Sequence, residues 1–290
     1  MVPRPTWLCR PGPGSSVGRQ MRRQYVILLA VIALTMFVLQ AVQPSARTTL
    51  TGAVPGEQLV FLSYNIRHGR GLDRRVSLDR IATVLADSGA DIIGLNEVDR
   101  RVPRSRWQDQ ARFLGQQLGF NHVFGTNVRW ALLGEYGNAL LSRFPITEYR
   151  NYRLPGPDGR SEPRGLLVAK IRVGQVELNV GVTHLGVTAA ERRGQLAEVA
   201  RIMAELNGPV ILLGDFNLSA SAPEMEILTQ TLSRAGGGEP LLTYPANRPV
   251  ADIDHLFYRG LYPIRAEVLE SEASDHRPVR VIFPWPDPGE

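Results

Sequence analysis

The sequence is constrained most by a repeated pattern. A short apolar run suited to a buried strand stops abruptly at a carboxylate, an amide or an imidazole. Ile211-Leu212-Leu213-Gly214-Asp215-Phe216-Asn217 shows it best, running into a glycine, then an acid, then an amide. Gly, Asp and Asn are turn formers, so a single ending of this kind can be a turn and nothing more. The same ending recurs, however. Asn65 closes "QLVFLSYNI" (58–66), Glu97 closes "DIIGLNEV" (91–98) and His184 closes "VELNVGVTHL" (176–185). Asp254 sits in "DIDHLFY" (252–258), and Asp275-His276 precede "RPVRVIF" (277–283). Turns do not require so many strand ends to draw on one chemical set. Open α/β folds place chemistry at the carboxyl edge of a sheet, and the recurrence favours that reading.

Between these runs the apolar period lengthens. Ser77 is placed to cap a helix reaching Gly89, with Ile81, Val84 and Leu85 on one face. Residues 105–119 predict a second helix with Phe113, Leu114 and Leu118 inward. Residues 189–206 predict a third with Leu196, Val199, Ala200 and Met203 inward, and a further helix is expected near 223–232. "GNALLSRFPI" (137–146) reads as a strand with a proline stop. "RGLLVAKIRV" (164–173) and the strand ending at His184 read as a hairpin around Gly174-Gln175. Hairpins mixed with helical crossovers predict two sheets packed together with helices outside.

Charge and hydropathy divide the chain. It has 290 residues and a formal net charge of +5. Arg4, Arg10, Arg19, Arg22 and Arg23 precede position 47 and no acid does, so the remaining 28 basic and 28 acidic residues balance. A neutral domain lacks the overall basic signature of a protein that binds by neutralising phosphates, although a local basic patch is compatible with it. Cys9 is the only cysteine, so the domain has neither a disulfide nor thiol chemistry. "YVILLAVIALTMFVLQAV" (25–42) carries no charge and is long enough to cross a bilayer, with Arg19, Arg22 and Arg23 just before it. The expected organisation is a cytoplasmic basic tail (1–23), a transmembrane signal-anchor helix (24–42), a linker (43–57) and a catalytic domain (58–284). The positive-inside rule then puts the domain outside the cytoplasmic membrane on a single-pass anchor. The alternative is a cleaved signal peptide starting at Met21 and a secreted domain.

The candidate site residues favour one kind of chemistry. Glu97, Asp275 and Asp215 are hard oxygen donors, and no Cys or His cluster offers a soft site. Such oxygens suit Mg²⁺, Mn²⁺ or Ca²⁺ over zinc. Two separated histidines can serve as base and as electrophilic clamp on a phosphoryl group.

"LSYNIRHG", "LNEV", "GNALLSR", "EPRG", "THLG", "GDFN", "IDHLFY" and "SDHRPV" occur in that order. The ordered set resembles the motif series of the endonuclease/exonuclease/phosphatase (DNase I-like) superfamily over roughly residues 58–284. The resemblance implies a four-layered α/β sandwich, two packed mixed β-sheets flanked by helices, and a phosphoesterase dependent on Mg²⁺ or Mn²⁺. It implies Glu97 as the principal metal ligand, with Asn65 beside the metal and Asp275 as a second metal-side carboxylate. It implies Asp215 and Asn217 as the pair that positions water or binds phosphate. His276, held by Asp254, becomes the general base or a phosphate contact, and His184 the other phosphate-side histidine, oriented by Glu162. Asn138, Arg164 and His68 are candidate substrate contacts, although Arg164 also suits a plain surface position. The superfamily usually has Gln before the metal Glu. This chain has Asn96, whose shorter amide is expected to lose a supporting contact.

Fold does not select the substrate. Neutral charge and an outward-facing domain near the bilayer favour a phosphodiester with a lipid head group. An extracytoplasmic nuclease is the alternative, and a non-catalytic module binding a phosphorylated ligand is the third reading. Nucleic acid is therefore an open but unfavoured partner, the membrane is a partner through the helix, and the protein is expected to be a monomer.

Overall fold

A computed structural model describes residues 58–130, 134–156 and 161–285. The basic tail, the predicted anchor (24–42) and the linker lie outside the described residues. Among the described residues no helix is long and apolar enough to cross a membrane.

The strands are β1 (Gln58–Asn65), β2 (Ile92–Arg100), β3 (Asn121–Trp130), β4 (Gly134–Ser142), β5 (Ile146–Arg153) and β6 (Gly165–Val173). β7 (Val176–His184), β8 (Val210–Asp215), β9 (Ser233–Arg234), β10 (Asp254–Arg259), β11 (Arg265–Val268) and β12 (Val279–Pro284) follow. The helices are α1 (Leu78–Asp87), α2 (Gln110–Leu118), α3 (Ala189–Ala204) and the single-turn α4 (Glu226–Thr229). Two six-stranded mixed sheets result, in the orders β11-β12-β1-β2-β4-β3 and β5-β6-β7-β8-β10-β9. Each has one parallel pair at its centre, β1 with β2 and β7 with β8. A parallel pair needs a crossover, and α1 and α3 supply it. Every other pairing is antiparallel.

Alternation along the central strands builds three apolar layers. Leu59 and Phe61 of β1 meet Ile211 and Leu213 of β8 between the sheets. Val60, Leu62 and Tyr64 point the other way, onto Ile81 and Leu85 of α1 and Leu114 of α2. Val210 and Leu212 point onto Leu196, Val199 and Met203 of α3. The order helix, sheet, sheet, helix is the predicted four-layered sandwich. Gly94 marks how closely the sheets approach, because a Cβ there would fall 1.7 Å from Leu213 Cδ1.

The helix starts follow the sequence signals. Ser77 caps α1 by accepting from Arg80 N–H, and Thr188 with Glu191 forms a capping box on α3. The predicted helix over 105–119 is shorter, since Asp109 is the N-cap and residues 103–105 form a separate 3₁₀ turn. Likewise 223–232 holds a 3₁₀ turn and one α-helical turn. β3 and β5 were not apparent as strands. Both are edge strands with partly or fully exposed residues on both faces, so neither shows the alternation that betrays a half-buried strand.

Candidate active site

The parallel pairs set the site's position. Asn65 pairs with Asn96 in register across β1 and β2, and His184 pairs with Asp215 across β7 and β8. β10 runs antiparallel to β8, so its first residue, Asp254, lies opposite Asp215. β12 runs antiparallel to β1, with Val279 opposite Ser63, which brings His276 to the same edge. Packing the sheets face to face then brings the two sets together. Asn65 spans the gap, its Nδ2 donating to Glu97 Oε1 (3.1 Å) and to Asp215 Oδ2 (3.0 Å).

Backbone strain and glycine shape the ends. Glu97 lies at φ 58°, inside a register shift between Leu95 and Val98 where β2 pairs with β4. A non-glycine residue in the left-handed region costs on the order of 1 kcal/mol and persists only where its surroundings enforce it. Here the irregularity turns the Glu97 carboxylate toward Asn65. On the other sheet, Gly214 is at φ 146°, and a Cβ there would lie 1.9 Å from Thr183 O. Asn217 is at φ 50°. Its N–H donates to Asp215 Oδ1 (2.9 Å) and its Nδ2 donates to Leu185 O (2.9 Å). "GDFN" is thus both a turn and the place where Asp215 and Asn217 enter the cluster.

Asp215 Oδ2 is the hub. It lies 3.5 Å from His184 Nε2 and 3.7 Å from His276 Nε2, and Asn217 Nδ2 is 3.1 Å from His184 Nε2. His276 Nδ1 sits 2.8 Å from Asp254 Oδ2, which also accepts from Thr243 Oγ1 (2.5 Å). Tyr244 packs its ring against His276, centroids 4.9 Å apart. Burial alone would lower the pKa of His276. The adjoining Asp254, with help from Asp215 and Asp275, outweighs burial and raises it to about 10. His184 has the opposite fate: burial, then the positive Arg164 and His276, hold it well below its usual value and keep it neutral. Burial and the nearby Asp254 raise the pKa of Asp215.

On the other side, burial and the like charge of Asp275 raise the pKa of Glu97 against the hydrogen bond from Asn65. Asp275 Oδ2 is paired with Arg67 Nη1 at 3.2 Å. Two like-charged carboxylates near enough to influence each other suit a hard divalent cation. Asn65 lies beside Glu97. Its Oδ1 accepts from Arg67 N–H (3.0 Å), so it presents N–H groups to the carboxylates and acts as a clasp, not as an oxygen donor. A second donor group is present. Asp215, Asp254 and His276 offer ligand atoms within 4.8 Å of one another and could hold a metal ion. Asp254 Oδ1 in that group is buried without a partner.

Expectations for four further residues change. Glu162 does not orient His184: its Oε1 pairs with Arg164 Nη1 at 3.1 Å, and the neutral state of His184 runs against the imidazolium such a carboxylate would favour. Arg164 is not a surface residue but 9% exposed, with Nε unpartnered. Asn138 is fully buried and its amide is spent internally, accepting from Asn96 Nδ2 (2.9 Å) and donating to Gly165 O (3.0 Å). It therefore stitches the sheets together and has no group left for substrate. Asn96 loses no contact: its Oδ1 accepts from Asp215 N–H (2.9 Å), and its Nδ2 also donates to Thr183 O (2.9 Å). The shorter amide suffices because Gly94 lets the two sheets come close, while Gly214 lets β8 lie close to β7 within one sheet.

His68, at φ 46°, flanks Glu97's side of the site with a buried, unpartnered Nδ1. Burial, then Arg104, lowers its pKa to about 4. Its backbone oxygen accepts from Gln110 Nε2 (2.8 Å), and Gln110 Oε1 accepts from Asp99 N–H (2.8 Å). Buried Asp99 takes a bidentate pair from Arg104 (2.8 and 2.9 Å). Sequence reasoning missed Asp99, Arg104, Gln110 and Thr243. The short "DQ" spacing at Asp109-Gln110 marks only a helix start, and nothing local announces that Gln110 is buried.

Comparison with known proteins bears on the family and the fold. The pattern of the Endonuclease/Exonuclease/phosphatase family matches residues 62–276. The uncharacterized protein YbhP of Escherichia coli K12 is 30% identical over 244 residues, covering 75% of this chain and 93% of that protein. Among solved structures, the mannosyl-6-phosphatase Bt3783 of Bacteroides thetaiotaomicron superposes with a TM-score of 0.65 at 22% identity, over 77% of this chain and 98% of that one. TDP2 of D. rerio, complexed with a single-strand DNA product, gives 0.62 at 20% identity, over 79% and 99%. The two structures share the DNase I-like fold with this chain. With its family pattern spanning most of the sequence, the chain belongs to the endonuclease/exonuclease/phosphatase family.

Proposed function

We propose that this protein is a Mg²⁺- or Mn²⁺-dependent phosphodiesterase that acts outside the cytoplasmic membrane on a phospholipid-like ester. The observation that carries the reading is the buried line Asp254–His276–Asp215, with an imidazole held between two carboxylates. Held positive by Asp254, His276 donates from Nε2 rather than accepting a proton. It hydrogen-bonds a phosphoryl oxygen and gives its proton to the leaving oxygen as the P–O bond breaks. Asp215, with its raised pKa, orients the attacking water and takes the proton that the water loses. Neutral His184, Asn217 and the guanidinium of Arg164 surround the remaining phosphoryl oxygens.

Glu97 and Asp275 would hold the cation, which supplies Lewis-acid neutralisation of the phosphoryl charge when bound. The Asp215–Asp254–His276 group is the less favourable place for it, since a positive imidazole would have to lose its proton first. The arginines before the apolar segment 25–42 support the outward location. A monophosphatase or a nuclease is the second reading, because a sugar phosphatase and a DNA-bound protein both share the fold.

The test is a substrate panel. The full chain is assayed with Mg²⁺, Mn²⁺ or EDTA on phospholipid vesicles, bis(p-nitrophenyl) phosphate, p-nitrophenyl phosphate and plasmid DNA. The expected result is metal-dependent turnover of vesicle lipid and diester above that of monoester and DNA. Faster plasmid cleavage, with affinity falling steeply in salt, would transfer the assignment to a nuclease.

A further inference from the structure

Charge is not spread evenly over the domain. Two segments leaving the ends of β1 and β2, residues 67–80 and 99–106, hold nine arginines against three aspartates. Arg67, Arg80, Arg100 and Arg104 are paired with Asp275, Asp73, Glu135 and Asp99. Arg70, Arg74, Arg75, Arg101 and Arg106 face no carboxylate among the described residues.

The two segments meet around an open cavity of about 550 Å³ lined by Asp73, Arg75, Ser77, Arg80, Arg104 and Arg106. That is the size range of small-molecule sites. The acid that lines the cavity and the acid behind Arg104 are already spent. Asp73 takes both Nη groups of Arg80 (2.8 and 3.0 Å), and Asp99 holds Arg104. Arg75 and Arg106 therefore leave the cavity with two uncompensated positive charges.

The cavity adjoins the catalytic cluster through Arg104. This side chain reaches from the cavity wall to Asp99, two residues beyond Glu97 on β2, and lies 5.3 Å over the ring of Tyr136. The Gln110 bonds to His68 and Asp99 lock the two arginine-bearing segments to each other. The metal-side carboxylates take no part in the cavity wall, so an anion there would displace neither.

We propose that this cavity binds a second phosphoryl group carried on the head group of the substrate, in addition to the one cleaved. The inference rests on the phosphoesterase reading above, and it narrows the substrate to esters whose head group carries a second phosphoryl group. Arg75 and Arg106 make the contact. Arg80 and Arg104, held and neutralised by their aspartates, form a fixed wall. Guanidinium groups suit this task because they can grip phosphate oxygens in bidentate fashion.

The test separates binding from turnover. The full chain is titrated calorimetrically in EDTA with inositol 1-phosphate and with inositol 1,4-bisphosphate. The wild type should prefer the bisphosphate by about tenfold or more. Arg75→Ala/Arg106→Ala should lose that preference, and Arg75→Lys/Arg106→Lys should keep part of it. Both arginines are exposed, so an unchanged thermal midpoint verifies the fold of each variant. Equal affinity of the wild type for the two ligands, or an undiminished preference in the alanine variant, would overturn the proposal. So would displacement of the bisphosphate by a single-stranded oligonucleotide whose affinity rises with its length. Turnover of bis(p-nitrophenyl) phosphate with Mg²⁺ should be the same in wild type and variants, since that ester has no second phosphoryl group. Its absence from all of them would strike the phosphoesterase reading and leave the binding preference to be judged separately.

Discussion

The two sheets follow one plan and end in different chemistry. Each has a central parallel pair with a crossover helix and antiparallel flanks. The β1–β2 end presents Glu97 partly exposed, on a strained backbone, facing Asp275. The β7–β8 end presents His184 and Asp215 almost fully buried, set by regular strand register and a glycine turn. A partly open pair of like charges is suited to take up a cation from solution. A buried group of alternating acid and imidazole is suited to hold protons at fixed atoms. On our account the cleft works because the sheets divide these tasks, and Asn65 and Asn96 keep the halves in register.

The division can be attacked from either side, and the largest effect should come from the proton-handling half. His276→Ala should lower kcat on a diester by about 10²–10⁴-fold. A loss below tenfold would remove His276 from the proposed role. Glu97→Gln should act on the other half. It should abolish the rise in thermal midpoint that Mg²⁺ gives the wild type, while Asp215→Asn keeps part of it. If the reverse holds, the cation belongs with Asp215, Asp254 and His276.

A third change probes the seam. Asn96→Leu leaves the buried Asp215 N–H and an Asn138 acceptor unpaired, which should cost about 2–4 kcal/mol in chemical denaturation. A cost under about 0.5 kcal/mol would mean that the sheets hold their register without it.

The last change is read through pH. In EDTA the folded-state pKa of His276 is raised to about 10 from an ordinary 6.5. The Asp254–His276 pair therefore contributes its full stability below about pH 6.5 and loses it as pH rises through 10. Asp254→Asn should accordingly be destabilised most near pH 6, with the gap from wild type closing by pH 10. An equal gap at both pH values would show that His276 is not charged in the folded protein.

Much of this was legible in the sequence, and the exceptions have a common cause. Buried strands such as "QLVFLSYN" and "VILLGD" announce themselves because one or both faces must be apolar, and their polar last residues stand out against that background. β3 and β5, at the sheet edges, obey no such rule. Among site residues, strand-end acids and histidines were readable because a polar residue at the end of a buried strand requires a reason. Their partners were not. Nothing near Glu162 in sequence says that it pairs with Arg164 and leaves His184 neutral. Nothing near Asn138 says that its amide faces inward. Those facts depend on how closely two sheets approach, which Gly94 sets from a segment far away in the chain.

The most direct measurement is turnover of bis(p-nitrophenyl) phosphate by the full chain, with and without Mg²⁺, for wild type, Glu97→Ala and His276→Ala in parallel. The account predicts turnover that requires the metal and is lost in both variants, one from each sheet. Metal-independent turnover, or full activity in either variant, would contradict the division of labour between the two sheets.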